Sequence, residues 1–236
     1  TGIAQALVDA GPVAETQALF DEVLTAAQGI EEDFCRAEAL TGVAQALAVA
    51  GAHEHARNVL SEALTAAQRM KKDIWGNRAE ALTGIAAALS NAGAHEHAQN
   101  VLSDGLTAAE AIGEGFSGRA EALTGIARVL VDTGANESAR NVLSDALTAA
   151  EAIKDEWSRG EVLRSISQAV ANAGEFAETK ALFEDLLTAA QGIESEEYCV
   201  LALRGIAVAL ADARPLAEIR NAVCKFSVVD QLGEAK

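Results

Sequence analysis

The fold of this chain is decided by residues 40–67, which read LTGVAQALAVAGAHEHARNVLSEALTAA. A close copy, LTGIAAALSNAGAHEHAQNVLSDGLTAA, follows at residues 82–109. Related segments fill most of the 236 residues, because the triplet Gly-Ile/Val-Ala, with serine for glycine in one copy, recurs at steps of 40, 42, 41, 40 and 40. A lone aromatic residue recurs every 41 residues, at Phe34, Trp75, Phe116, Trp157 and Tyr198. Repeats of this length indicate stacked supersecondary units.

Each repeat is predicted to contain two helices. Apolar residues in its first half follow the i, i+3, i+4, i+7 spacing of one helix face, namely Leu40, Val43, Ala44 and Leu47. A second helix, predicted at about 53–70, repeats the stripe through Ala56, Leu60, Ala63, Leu64 and Ala67. Between the two, Gly51 suits the left-handed residue that ends a helix, and glycine recurs at the matching places of other copies. The sequence therefore predicts a helix pair in every repeat.

Two further signals concern helix starts and helix packing. Ser158 and Glu161 have the spacing of a capping box, and Trp157 with Val162 has that of a hydrophobic staple, which predicts a helix that starts near Ser158. Glycine also recurs inside the first helices, although each interior glycine costs about 1 kcal/mol relative to alanine. We expect these glycines, of which Gly84 is one, to allow close packing against a neighbouring helix.

The stripe resembles the tetratricopeptide (TPR) repeat, in a long form of 40–42 residues. In that motif large, apolar, small and large residues follow one another in the first helix, and small and large residues recur in the second. Here those positions hold Leu40, Val43, Ala44, Leu47, Ala56 and Leu60. The resemblance implies an all-α fold, an α-solenoid of antiparallel helix hairpins in a right-handed superhelix, with about six repeats and twelve helices.

The repeats are predicted to form a single domain over residues 1–236. Its last segment, 227–236, breaks the pattern and is expected to be a tail or a cap. Because Thr1 already lies inside a repeat, we expect the chain to be a fragment of a longer protein. The predicted repeats span residues 1–33, 34–74, 75–115, 116–156, 157–197 and 198–226.

Charge and hydropathy exclude several classes of partner. The chain has 35 acidic and 18 basic side chains, a formal net charge of −17. Such a charge repels nucleic acid and anionic membrane surfaces, so neither is expected as a partner. No apolar run approaches the roughly 18–20 residues that a membrane-spanning helix needs. We expect a soluble, cytoplasmic protein, although the native N-terminus and any targeting signal are not visible.

No catalytic or cofactor-binding pattern is found, and we predict neither an enzyme nor a bound cofactor. Glycine-rich phosphate loops are missing from the sequence. The four histidines fall in two copies of Gly-Ala-His-Glu-His-Ala, which stacking could bring together as a metal site. Because residues i and i+2 of a helix point apart, we expect helix-start residues and no metal at these positions, His53, His55, His95 and His97.

The TPR resemblance implies that a peptide or partner protein binds the concave surface, which the first helices line. Arg128, Arg164 and Arg204 on this surface could bind a carboxylate through paired hydrogen bonds. Alternatively, they could merely neutralise nearby acidic residues such as Glu161. A non-catalytic interaction scaffold is thus the leading hypothesis. The alternative is a structural, assembly or sensor module that packs on itself, as a homo-oligomer, or on a fused effector domain. The candidate binding residues are Gln45, Glu80, Thr83, Asn91, Glu121, Arg128, Asp132, Arg164, Gln168, Asn172 and Arg204.

Overall fold

The computed structural model describes residues 13–70 and 76–213, which form ten α-helices and no strand. The all-α prediction is confirmed for these residues. The other two of the twelve predicted helices, the first of repeat 1–33 and the second of repeat 198–226, lie outside the described residues. The helices are α1 (Val13–Gln28), α2 (Asp33–Val49), α3 (His53–Arg69), α4 (Asn77–Asn91), α5 (His95–Glu110), α6 (Ser117–Asp132), α7 (Asn136–Glu151), α8 (Glu156–Asn172), α9 (Phe176–Gln191) and α10 (Glu196–Ala213).

The helices pack in neighbouring pairs. The pairs α2 with α3, α4 with α5 and α6 with α7 share extensive contacts. Each even-numbered helix also packs against the next even-numbered one, from α2 through to α10. We call α2, α4, α6, α8 and α10 the first helices, because each comes first in its repeat. Among the described residues, extensive contacts join only helices that are one or two places apart in the chain.

The core is formed by the predicted apolar stripes. In α2 the four stripe residues are all buried, and Leu40 keeps only 1% of its surface exposed. In α3 the small residues Ala56 and Ala63 are completely buried beside Leu60. Alanine side chains let the helix backbones approach closely, while each fully buried leucine contributes about 1.5–3 kcal/mol of hydrophobic free energy. The large alanine content of the chain thus serves helix-on-helix packing.

Glycine ends three first helices as predicted. Gly51, Gly93 and Gly134 have φ angles of +80°, +76° and +78°, in the left-handed region. At the first of them, the Gly51 N–H donates to the Ala48 carbonyl at 3.0 Å and the Ala52 N–H donates to the Leu47 carbonyl at 2.9 Å. This pair of bonds is the Schellman motif, which satisfies carbonyls at the helix end and reverses the chain.

The predicted capping box at Ser158 is wrong. Helix α8 begins earlier, at Glu156, because the Asp155 carboxylate accepts a hydrogen bond from the Ser158 N–H at 2.8 Å. This bond lowers the pKa of Asp155. Glu161, the proposed partner in the box, instead forms an ion pair with Arg164. An aspartate three residues upstream therefore takes the N–H that the box would have used.

Arginines join some neighbouring repeats. The Arg57 guanidinium on α3 donates to the Ala92 carbonyl at the end of α4, at 3.3 Å. Arg140 on α7 donates in the same way to the Ala173 carbonyl at the end of α8, at 3.0 Å, and also pairs with Glu178 at 2.9 Å. Gln99 has the corresponding position on α5 and makes no such bond within residues 13–70 and 76–213.

Candidate partner-binding face

The first helices present matching side chains along one face, here called the first-helix face. Two of its positions, one helical turn apart, change character along the chain. The first position holds Glu38, Glu80, Glu121, Glu161 and Leu201 in successive repeats. The second position holds Thr41, Thr83, Thr124, Arg164 and Arg204. At these two positions the charge therefore changes from negative at α2 and α4 to balanced at α8 and positive at α10.

A cavity of about 330 Å³ lies between α4 and α6, and we call it the acidic cavity. It brings together three of the predicted site residues, Glu80, Thr83 and Glu121. Partial burial raises the pKa of Glu80, and the negative charges of Glu38 and Glu121 raise it further. The carboxylates along this part of the face thus repel one another.

The threonines of this region are occupied by their own helices. The Thr83 hydroxyl donates to the Ala79 carbonyl at 2.7 Å, and the hydroxyls of Thr41 and Thr124 make the same bond four residues back. Their protons are therefore used within the helix. Thr41 and Thr124 are also buried, so only the Thr83 oxygen keeps lone pairs that face the cavity. The Thr83 methyl group faces Gly125 of the next helix, where a Cβ atom would lie 3.5 Å from it.

A second, larger cavity of about 530 Å³ lies where α6, α8 and α10 meet, and we call it the arginine cavity. Four predicted site residues line it, and none of the described lining residues is acidic. Those four residues are Arg128, Arg164, Gln168 and Arg204.

The hydrogen bonds of the three arginines differ. Arg164 pairs with Glu161 of its own helix at 2.7 Å, so neutralisation by Glu161 is observed for this one arginine. Arg128 donates to the Ser165 hydroxyl at 3.2 Å. Within the described part of the chain neither Arg128 nor Arg204 forms an ion pair. Two guanidinium groups of the cavity thus have no ion-pair partner among residues 13–70 and 76–213.

The walls of the arginine cavity depend on an unusually close approach of α8 and α10. Gly205 of α10 lies directly against Arg164, so that an added Cβ atom would overlap the Arg164 side chain and come within 3.1 Å of its Cα atom. Gly160 of α8 similarly leaves room for the Tyr198 carbonyl, whose oxygen would lie 3.1 Å from a Cβ atom added to this glycine. As a result α8 packs more extensively on α10 than on α9, which follows it in the chain.

Four predicted site residues lie outside both cavities. Gln45 is half-buried on α2. Asn91, Asp132 and Asn172 are the last residues of α4, α6 and α8, beside the turns, where their side chains are exposed or partly exposed. These three side chains mark one edge of the first-helix face and line neither cavity.

Sequence reasoning missed the apolar part of the arginine cavity. Leu201 and Val208 line it from α10, and 52% of the Val208 surface is exposed. An alignment of the repeats contains the signal. Leu201 stands where the earlier first helices have glutamate, and Val208 stands where most other repeats have a polar residue, such as Gln168. These two aliphatic residues distinguish the arginine cavity from the rest of the first-helix face.

The histidines begin α3 and α5 and are all exposed. The Ser90 hydroxyl lies 3.3 Å from Nδ1 of His95. No group of three or more His, Cys, Asp or Glu residues that could hold a metal ion occurs among residues 13–70 and 76–213. The same residues contain no helix that is long and apolar enough to cross a membrane.

Comparison with known proteins supports the fold alone. No model of a known protein family matches the sequence, and no curated protein matches it. Among solved structures, the chain is similar to Ton1535 from Thermococcus onnurineus NA1, with a TM-score of 0.59 and 16% sequence identity. The similarity covers 89% of this chain and 60% of Ton1535, so this chain corresponds to less than two thirds of that protein's length.

Proposed function

We propose that this chain is a non-catalytic interaction scaffold that binds a peptide or a segment of a partner protein on its first-helix face. In this proposal the helix pairs form a TPR-like right-handed solenoid, whose concave surface is the first-helix face. Within the described ranges, extensive contacts join only helices one or two places apart, which supports an open array, since a closed globule would join distant helices. The resemblance of the helix stripes to TPR repeats supports the same architecture.

The observation that carries the proposal is the pair of charged cavities on adjoining first helices. The arginine cavity keeps two guanidinium groups without an ion pair in the described part of the chain, although the whole chain has a formal charge of −17. Guanidinium groups bind carboxylates in bidentate geometry, which makes them frequent anchors of protein interfaces. The linings offer charge and shape to a ligand rather than a paired nucleophile and base.

Peptide selection tests this proposal. A random peptide library is panned against the immobilised chain, and selected peptides are titrated against Arg128→Glu/Arg204→Glu. The matched control, Lys154→Glu/Lys180→Glu, makes the same change in net charge at exposed residues away from the cavity. We expect selected peptides to lose binding to the first variant and to keep it with the control. Equal binding to both variants, or no enriched peptide, would contradict the proposal.

Self-assembly is the second candidate, and exposed aromatic residues favour it. Phe116 and Trp157 recur at the start of α6 and α8 with 41% and 55% of their surface exposed. Large aromatic residues in such positions often bury themselves in contacts with another chain. Light scattering over a concentration series distinguishes the two candidate functions. An oligomer that dissociates in the Trp157→Ser variant, with no peptide bound to the first-helix face, would favour self-assembly.

A further inference from the structure

We infer that the arginine cavity takes an internal acidic segment of a partner protein, with two carboxylate side chains and an aliphatic residue beside one of them, and that Gly205 positions Arg164 for it. This inference rests on the proposed function and specifies its ligand. It is drawn from the lining of the cavity, the spacing of its helices and the contact between α8 and α10.

The spacing of the arginines leaves room for more than one carboxylate. Arg128 and Arg204 lie on α6 and α10, which α8 separates. Packed helices are about 8–10 Å apart, so the two outer helix axes are roughly 20 Å apart. The side chains of Arg128 and Arg204 reach into this gap, and each guanidinium group can take a carboxylate of its own. An extended segment, at about 3.3 Å per residue, carries two acidic side chains across it within about four to six residues.

The aliphatic requirement comes from α10. Leu201 and Val208 lie one turn before and one turn after Arg204, and all three line the cavity. A phosphate or an isolated carboxylate would leave these apolar surfaces in water. A leucine, isoleucine or valine beside the acidic residue would bury them, at about 25 cal/mol per Å² of apolar surface. This lining favours a protein segment over a nucleic acid, whose phosphates the net charge of −17 also repels.

Arg164 is held at two places. Its guanidinium donates two hydrogen bonds to Glu161, from Nε and Nη2, at 3.3 and 2.7 Å. Since a guanidinium has five N–H donors, three are left for a ligand. Its aliphatic stem lies against Gly205, where no side chain fits beside it. Any Cβ atom at Gly205 must therefore move Arg164 or separate α8 from α10.

Four synthetic probes test the ligand by fluorescence anisotropy at about 0.15 M salt, where long-range repulsion between the acidic chain and an acidic peptide is screened beyond roughly 8 Å. The first is a fluorescent peptide with blocked ends, two glutamates about four residues apart and a leucine beside one of them. The second replaces both glutamates with glutamine and keeps blocked ends. The third is the glutamine peptide with a free terminal carboxylate. The fourth replaces both glutamates with lysine.

We expect the glutamate peptide to bind about 10-fold or more tightly than the glutamine peptide, because charged hydrogen bonds contribute more than neutral ones. Arg128→Gln and Arg204→Gln, both at exposed positions, should each reduce this ratio. Equal binding of the two peptides would overturn the inference. So would tight binding only of the probe with a free terminal carboxylate, which would identify a chain end as the ligand.

Gly205→Ala tests the positioning role, with Gly84→Ala as the matched control at the same repeat position. A Cβ atom at Gly84 would meet only Thr41, at an ordinary 3.9 Å. We expect Gly205→Ala to reduce the glutamate-to-glutamine affinity ratio, because it displaces Arg164, while Gly84→Ala leaves the ratio unchanged. A folded Gly205→Ala variant, checked by circular dichroism, that keeps the full ratio would overturn the positioning role. If this variant does not fold, the two arginine variants still decide the ligand.

The failure of this inference is distinguishable from failure of the proposed function. Binding of the lysine peptide to the first-helix face, without binding of the glutamate peptide, would overturn the acidic ligand and leave the scaffold proposal standing. Failure of every probe, together with no peptide from the library selection, would overturn both.

Discussion

The two cavities of the first-helix face are built on the same repeat but differ in charge and in helix spacing. In the acidic cavity a glutamate and a threonine occupy the two variable positions of each helix. In the arginine cavity Arg164 and Arg204 replace the threonines, and Leu201 replaces the last glutamate. The comparison teaches that the buried stripe fixes the helix pair, while two neighbouring positions set the charge of each part of the face.

Helix spacing is the second difference. In the acidic region, glycines such as Gly84 face a threonine methyl group at ordinary contact distance. In the arginine region, a Cβ atom at Gly205 would overlap Arg164, and one at Gly160 would lie in tight contact, 3.1 Å, with the Tyr198 carbonyl oxygen. The close packing expected at Gly84 is therefore wrong, because a Cβ atom fits there, whereas Gly205 at the same repeat position does allow a close approach of two helices.

The largest expected effect tests the shared core. Leu82 and Leu163 occupy the same repeat position beneath the two cavities, and both are completely buried. We expect Leu82→Ala and Leu163→Ala each to lower the free energy of unfolding by about 2–5 kcal/mol, with similar losses, because the cavity left behind is lined by the same kind of residues. Urea denaturation measures the loss, and the exposed substitution Asn141→Ala serves as the control. Losses that differ by more than about 2 kcal/mol would show that the two cores are not equivalent.

An intermediate effect tests the helix spacing. Gly160 occupies the position at which other repeats have alanine, at Ala37, Ala79 and Ala120. Gly160→Ala would thus restore the common residue and improve helix propensity, yet its Cβ would press on the Tyr198 carbonyl. We expect it to be less favourable than Gly84→Ala by about 1–3 kcal/mol in thermal or urea unfolding.

Equal effects of these two alanine substitutions would contradict the close approach of α8 and α10. A gain in stability at Gly84→Ala, of up to about 1 kcal/mol, would agree with the open space beside it.

The smallest expected effect tests the acidic region by pH. Because burial and neighbouring glutamates raise the pKa of Glu80, its ionised form is less favourable in the folded chain than in the unfolded chain. The free energy of unfolding therefore falls as the pH rises from the usual glutamate pKa through the raised pKa of Glu80. Glu80→Gln should slightly stabilise the fold at neutral pH, and this gain should vanish in acid. A gain that persists in acid, or that Asp145→Asn on exposed α7 reproduces, would contradict the repulsion.

Local signals in the sequence predicted the elements well. The second helix predicted at about 53–70 is observed as His53–Arg69, and the glycines at the ends of α2, α4 and α6 are left-handed as expected. These features depend on residues a few positions apart, so the sequence pattern contains them. The helix start at α8 was predicted wrongly because Asp155 and Ser158 are both good capping residues, and their competition is decided by backbone geometry.

The site was predictable only in part, since it depends on contacts across about 40 residues. Arg128, Arg164 and Arg204 were predicted on one face, and the structure brings them to one cavity. The close contact of Gly205 with Arg164 was not predictable, because Gly84 and Gly125 have the same repeat position and a different neighbour. The alignment of the repeats predicts where a residue lies along its helix. How closely two helices pack depends on which residue of the neighbouring helix faces it.

The arginine bonds between neighbouring repeats have a mechanical consequence. Arg57 ties the end of α4 to α3, and Arg140 ties the end of α8 to α7, but Gln99 provides no such tie between α5 and the end of α6 within the described chain. The tied repeats should open together, whereas the boundary between α5 and α6 lacks this latch. Amide protons near that boundary would then exchange before those of the tied repeats. A pulling force would separate the helices there, between α5 and α6. The acidic cavity would be divided, while the arginine cavity would stay intact.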